Sequence, residues 1–142
     1  MITEDYINFE TAKLLKEKGF DESVTHYYFT QITHVGFKDY PTGVLYTDSD
    51  PQHQNNYKNK VAAPTQTLVM KWLRLEHNIH IEPHLVKTKH SYGYMPNYID
   101  ISCLKQGFPF KEFDFANADK YVNSTYSQAC EVTIKYCLEN LI

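Results

Sequence analysis

A chain of 142 residues suffices for one domain and is short for two, and its 42% apolar content argues for a packed core over disorder. Lys and Arg number 14 against 17 Asp and Glu, a net charge of −3, so the chain lacks the cationic surplus on which general nucleic-acid binding draws. Its three cysteines form no Cys-x-x-Cys, which excludes a zinc knuckle or redox motif, and no apolar run approaches the ~20 residues of a membrane span.

The first predicted element is a helix from Phe9 to about Lys18, capped by Asn8, whose side-chain oxygen can accept from the amides of the first turn. Ala12, Leu14 and Leu15 form its apolar stripe, and Lys13, Lys16 and Glu17 are expected to face water. Gly19 supplies the left-handed stop, with Phe20 folding back. The β-branched and aromatic run "SVTHYYFTQITHV" (Ser23–Val35) predicts one long strand and "GVLYTD" (Gly43–Asp48) a shorter partner, the two joined as a hairpin through Gly36 and "YPTG". The polar stretch "SDPQHQNNYKNK" (Ser49–Lys60) reads as a surface loop.

A second helix begins after "AAPT", with Thr65 as cap, and presents Leu68, Val69, Trp72, Leu73 and Leu75 to the core. It should end near Asn78, which tolerates the left-handed position. Two strands follow, Ile79 to about Lys87 and about Tyr92 to Leu104, with Pro83 forcing an edge or a bulge on the first. The segment Lys105–Asn123 alternates Phe108, Phe110, Phe113 and Phe115 with mostly polar residues and reads as an ordered loop or short edge strand closing over the core. A third helix starts at the capping box "TYSQ", Thr125 with Gln128, and buries a face that includes Cys130 and Cys137. The order α-β-β-α-β-β-α implies a single α+β domain over residues 1–142, an antiparallel sheet of about four strands packed with helices.

The densest polar cluster is "EHNIHIEPH" (Glu76–His84). On a strand, His80, Glu82 and His84 fall on the face opposite Ile79, Ile81 and Leu85, so the histidines are expected to face solvent. His80 and His84 would stand ~13 Å apart at Cα, a span two imidazoles barely bridge through one metal. His80 with Glu82 could share a metal given a third ligand from His26, His34, His90, Asp48, Asp50 or His53. This is the one metal reading the spacing leaves, and it would support a metal-binding domain or a metal-dependent hydrolase. Scattered glycines form no phosphate-cradling loop, no nucleophile elbow occurs, and no catalytic residue or cofactor is assigned. Lys87 and Lys89 in "KTKH" offer only a short basic patch, so nucleic-acid binding is disfavoured.

Three blocks, "INFETAKLLKEKGFDES", "AAPTQTLVMKWLRLEHNIHI" and "TYSQACEVTIKYCLENLI", resemble a family of short hypothetical proteins carried by phages and prophages of gut bacteria. They cover well under half of the chain, and Ser49–Lys60 and Lys105–Asn123 lie outside them. The resemblance implies a mobile-element setting and carries over no site residue.

The 12 tyrosines suit half-buried strands first and contact surfaces second. The expectation is therefore a non-enzymatic, cytoplasmic accessory protein without a membrane anchor. It would act through contacts with a protein partner or its own homodimer, with His84, Tyr92, Tyr94 and Tyr57 as the candidate contact surface.

Overall fold

The computed structural model describes all residues, Met1–Ile142. The chain is α+β, with three α-helices and ten short antiparallel strands, organised as two compact units, Met1–Thr65 and Gln66–Ile142. No helix is long and apolar enough to cross a membrane.

In the first unit, helix α1 (Phe9–Glu17) starts where predicted: Asn8 Oδ1 accepts from the Thr11 amide at 2.9 Å. It stops at Gly19, φ 85°, and the Phe20 amide donates back to the Leu15 carbonyl at 3.2 Å. Ala12, Leu15 and Phe20 enter the core, as does Thr11. Lys16 departs from expectation. Its ammonium donates to the carbonyls of Tyr57 and Lys60 at 2.7 and 2.8 Å, and burial lowers its pKa. The aliphatic stem lies along the protein while the charge ties two carbonyls to the helix.

The long first strand divides in two. Strand β1 (Val24–Phe29) runs between β4 (Tyr46–Gln52) and β5 (Lys60–Ala62), antiparallel to both. The chain then leaves this sheet and forms a separate hairpin of β2 (Thr33–Val35) and β3 (Lys38–Tyr40). Pro51 is tolerated in β4 because that strand is an edge, and the β1–β4 register shifts between Val24 and His26. The stretch Ser49–Lys60 is more structured than a surface loop. It finishes β4, makes a 3₁₀ turn at Gln54–Asn56 and enters β5. Its polar side chains serve the backbone: Asn55 donates to the Phe20 carbonyl at 2.7 Å and accepts from the Ala62 amide at 2.8 Å. Composition alone reads such residues as wet; here they satisfy buried main-chain groups.

In the second unit, α2 (Gln66–His77) buries Val69, Trp72 and Leu73 but leaves Leu75 exposed, and Asn78 ends it at φ 57°. Each of the two predicted long strands breaks at a proline. The first becomes β6 (Ile79–Ile81) and β7 (His84–Lys87), the second β8 (Tyr92–Met95) and β9 (Tyr98–Asp100). Strand β7 pairs only with β8, while β6 pairs with β9, whose other edge carries β10 (Lys105–Gly107). Helix α3 (Tyr126–Asn140) is capped by Thr125, which accepts from the Gln128 amide at 3.1 Å. It packs against α2, β6 and β8 and buries Ala129, Cys130, Thr133, Ile134, Cys137 and Leu138. Gln128 does not close the box on its cap; its side chain accepts from the Ser124 hydroxyl at 2.8 Å. The phenylalanines after β10 pack on one another instead of on the core. Phe108 stacks on Phe113 at 4.3 Å, Tyr121 joins Phe110 and Phe113, and Phe115 stays largely exposed.

Candidate functional site

Apart from Met1 and Ile2, the most exposed large apolar residues of the first unit, Phe37, Ile32 and Val35, lie on or beside the β2–β3 hairpin. Val35 and Lys38 close the ladder, leaving Gly36 and Phe37 as a two-residue turn. Gly36 has φ 62°, the sign that a type II′ hairpin turn requires at its first central position. This turn places Phe37 at the tip, fully exposed, with Ile32 and Val35 each 60% exposed and Val44 and Leu45 exposed on the strap that follows. An isolated two-stranded hairpin is marginal in water, so its order has to come from elsewhere.

Two contacts supply it. Across the strands, His34 Nδ1 meets Asp39 Oδ1 at 2.5 Å on one face of the hairpin. On the other face Tyr40 joins an aromatic cluster at the hairpin base, with ring centroids 5.7 Å from Phe29 and 5.4 Å from Tyr46. Tyr27 completes the cluster against Phe29 and Tyr46 at 5.3 and 6.0 Å, and Lys60 lies over its ring at 4.0 Å. Burial, then the neighbouring Asp48, Tyr40 and Tyr46, raise the Tyr27 pKa. The tyrosines here form the anchor, and the exposed apolar side chains are aliphatic with one phenylalanine. Sequence reasoning missed Phe37 because Gly36 and "YPTG" read as one connection between Ser23–Val35 and Gly43–Asp48, which hides the second hairpin. A β-branched run ending in "VGFK" was the available signal for a second hairpin.

The residues singled out from the sequence fall in three places. His80 and Glu82 do share a face, with Nε2 and Oε2 3.2 Å apart, and both are partly exposed. No third His, Cys, Asp or Glu joins them in a group that could hold a metal ion. His84 lies beyond the break at Pro83, exposed, with Nε2 3.3 Å from the Asn97 amide nitrogen. Leu85, expected inside, is 65% exposed because β7 no longer belongs to the sheet whose inner face holds Ile79 and Ile81. Tyr92 is exposed, whereas Tyr94 packs edge-on against Tyr126 at 5.6 Å. Tyr57, in the first unit, is half exposed under the Lys60 ammonium at 4.8 Å. Cys103, Cys130 and Cys137 form no disulfide, and burial pushes the Cys137 thiol up to about 12, far from a reactive thiolate.

Compared with known proteins, the chain matches no family model, no curated protein and no solved structure.

Proposed function

We propose that this protein acts by docking the β2–β3 hairpin into another protein, as a non-enzymatic accessory factor in the cytoplasm. The observation that carries the reading is Phe37 held fully exposed at the tip of a hairpin whose base is fixed by Phe29, Tyr40 and Tyr46. Exposed apolar side chains gathered on one short ordered element are a feature of partner sites. A convex finger needs a concave acceptor, which disfavours a self-complementary dimer through this element. Charge narrows the partner further. Residues 1–65 hold six Lys against nine Asp and Glu, while residues 66–142 hold eight Lys and Arg and eight Asp and Glu. The excess of acidic residues in this unit favours a basic partner, so the association should weaken with salt. The cytoplasmic assignment draws on the thiol state of the three cysteines, and a phage or prophage setting on the sequence resemblance.

The test is co-purification from the native host at low and high salt, with tagged wild-type and Phe37→Ser proteins side by side. A defined companion lost from the variant and weakened by salt supports the reading. A companion retained equally by the variant, or a strict monomer with none, contradicts it.

A further inference from the structure

The second unit contains a cavity of about 250 Å³, independent of the hairpin. Its floor is one face of the β6–β9–β10 sheet. Asp100 stands opposite both Ile79 and Lys105, and Tyr98 stands opposite Gly107, so these side chains share a face. His77, the last residue of α2, and Leu141, the C-cap of α3, close the walls. Gly107 has a defined reason to be glycine: a Cβ there would run into the Tyr98 ring, which lies across it.

The lining is chemically divided. Asp100 Oδ1 accepts from the Ser102 amide at 3.0 Å and from the Ser102 hydroxyl. The hydroxyl is the main cause of a carboxyl pKa below the usual value, so Asp100 is charged at neutral pH. The ends of α2 and α3 at the cavity wall add the negative pole of each helix dipole. On the neighbouring strand the exposed Lys105 also lines the cavity, and Ile79, Leu141 and the Tyr98 ring supply apolar wall. Asp100 and Lys105 are cross-strand partners, yet no ion pair joins them, which leaves both charges to a ligand carrying both signs. The volume lies just below that of pockets for drug-sized molecules.

We infer that this cavity binds a small zwitterion of the α-amino-acid class. The ligand ammonium meets Asp100, its carboxylate meets Lys105, and its side chain lies against Ile79, Leu141 and Tyr98.

The experiment is amide chemical-shift titration of the full-length protein with L-leucine, isoamylamine and 4-methylpentanoate; the last two each keep the side chain and one charge. L-Leucine should shift Ile79, Tyr98 and Gly107 saturably, and each one-charge analogue should bind at least about tenfold more weakly. Asp100→Asn should weaken L-leucine by a similar factor. Lys105→Met, at an exposed edge position, gives the same readout if Asp100→Asn fails to fold. Equal binding of an analogue, undiminished binding by Lys105→Met, or no saturable shift at these residues with L-leucine, L-alanine or glycine would overturn the inference.

Discussion

Asn97 donates its side-chain amide to the Glu82 carbonyl, across the gap where two paired strands break at Pro83 and Pro96. The Glu82 amide donates in return to the Asn97 carbonyl at 3.3 Å, and Asn97 Oδ1 accepts from Gln106 Nε2 at 3.0 Å. Asn97 is fully buried. One side chain thus replaces the ladder that two prolines interrupt, and lets β7–β8 leave the plane of β6–β9.

Replacing Asn97 should therefore be costly. Asn97→Ala removes the side-chain donor to the Glu82 carbonyl and the acceptor for Gln106, a loss of about 1–3 kcal/mol. Urea unfolding should show a lower midpoint with an unchanged slope.

Gly107→Ala should destabilise by about 1–3 kcal/mol, because the added methyl must displace the Tyr98 ring. Gly19→Ala should cost about 1 kcal/mol for a different reason: nothing lies near its Cβ, and the strain is its φ of 85°. Thermal unfolding of both variants, with tyrosine fluorescence reporting the Tyr98 environment, separates packing from backbone strain. Only Gly107→Ala should change the fluorescence.

Alkaline pH should weaken the fold. Burial holds the Cys137 proton up to about 12, and burial likewise raises Tyr27, Tyr98 and Tyr126. The unfolded chain gives up a cysteine proton near 9, the ordinary value. Between about 9 and 12 the native state holds more protons than the unfolded one, so stability falls as pH rises through that window. Denaturant midpoints at pH 8 and pH 10.5 should differ in that order, and Cys137→Ala should shrink the difference.

The His80–Glu82 pair is partly exposed at 3.2 Å, a geometry worth about 0–1 kcal/mol. His80→Ala should leave the unfolding midpoint nearly unchanged, and added zinc should not raise the midpoint of the wild type. A zinc-dependent rise that His80→Ala removes would restore the metal reading.

The helices were legible because their signals are local. Asn8, Gly19, Asn78 and Thr125 act within one turn of themselves, and each ends or begins a helix as its chemistry predicts. The strands were legible as β structure but not as pairings. Pro83 warned of a break, yet the matching break at Pro96 and the stitch by Asn97 depend on residues brought together across the sheet. Asn55 and Gln54 read as loop residues because composition cannot show that their amides reach the Phe20 and Val24 carbonyls. The hairpin was obscured for a related reason. Ile32 and Val35 both have strand character ahead of the Gly36–Phe37 turn, and nothing local distinguishes a buried β-branched residue from an exposed one. The cavity at Asp100 is assembled from three separate stretches of chain, residues 77–79, 98–107 and 141, which only the fold brings together.

The central claim is that Phe37 enters a partner. The direct measurement is photo-crosslinking in the native host, with a benzophenone amino acid at position 37 and, as control, at the exposed polar position Thr42. The account predicts one adduct specific to position 37, with a single protein larger or smaller than this chain, competed by excess untagged wild type but not by Phe37→Ser. Equal adducts from both positions, an adduct of twice the chain mass, or competition by Phe37→Ser would contradict it.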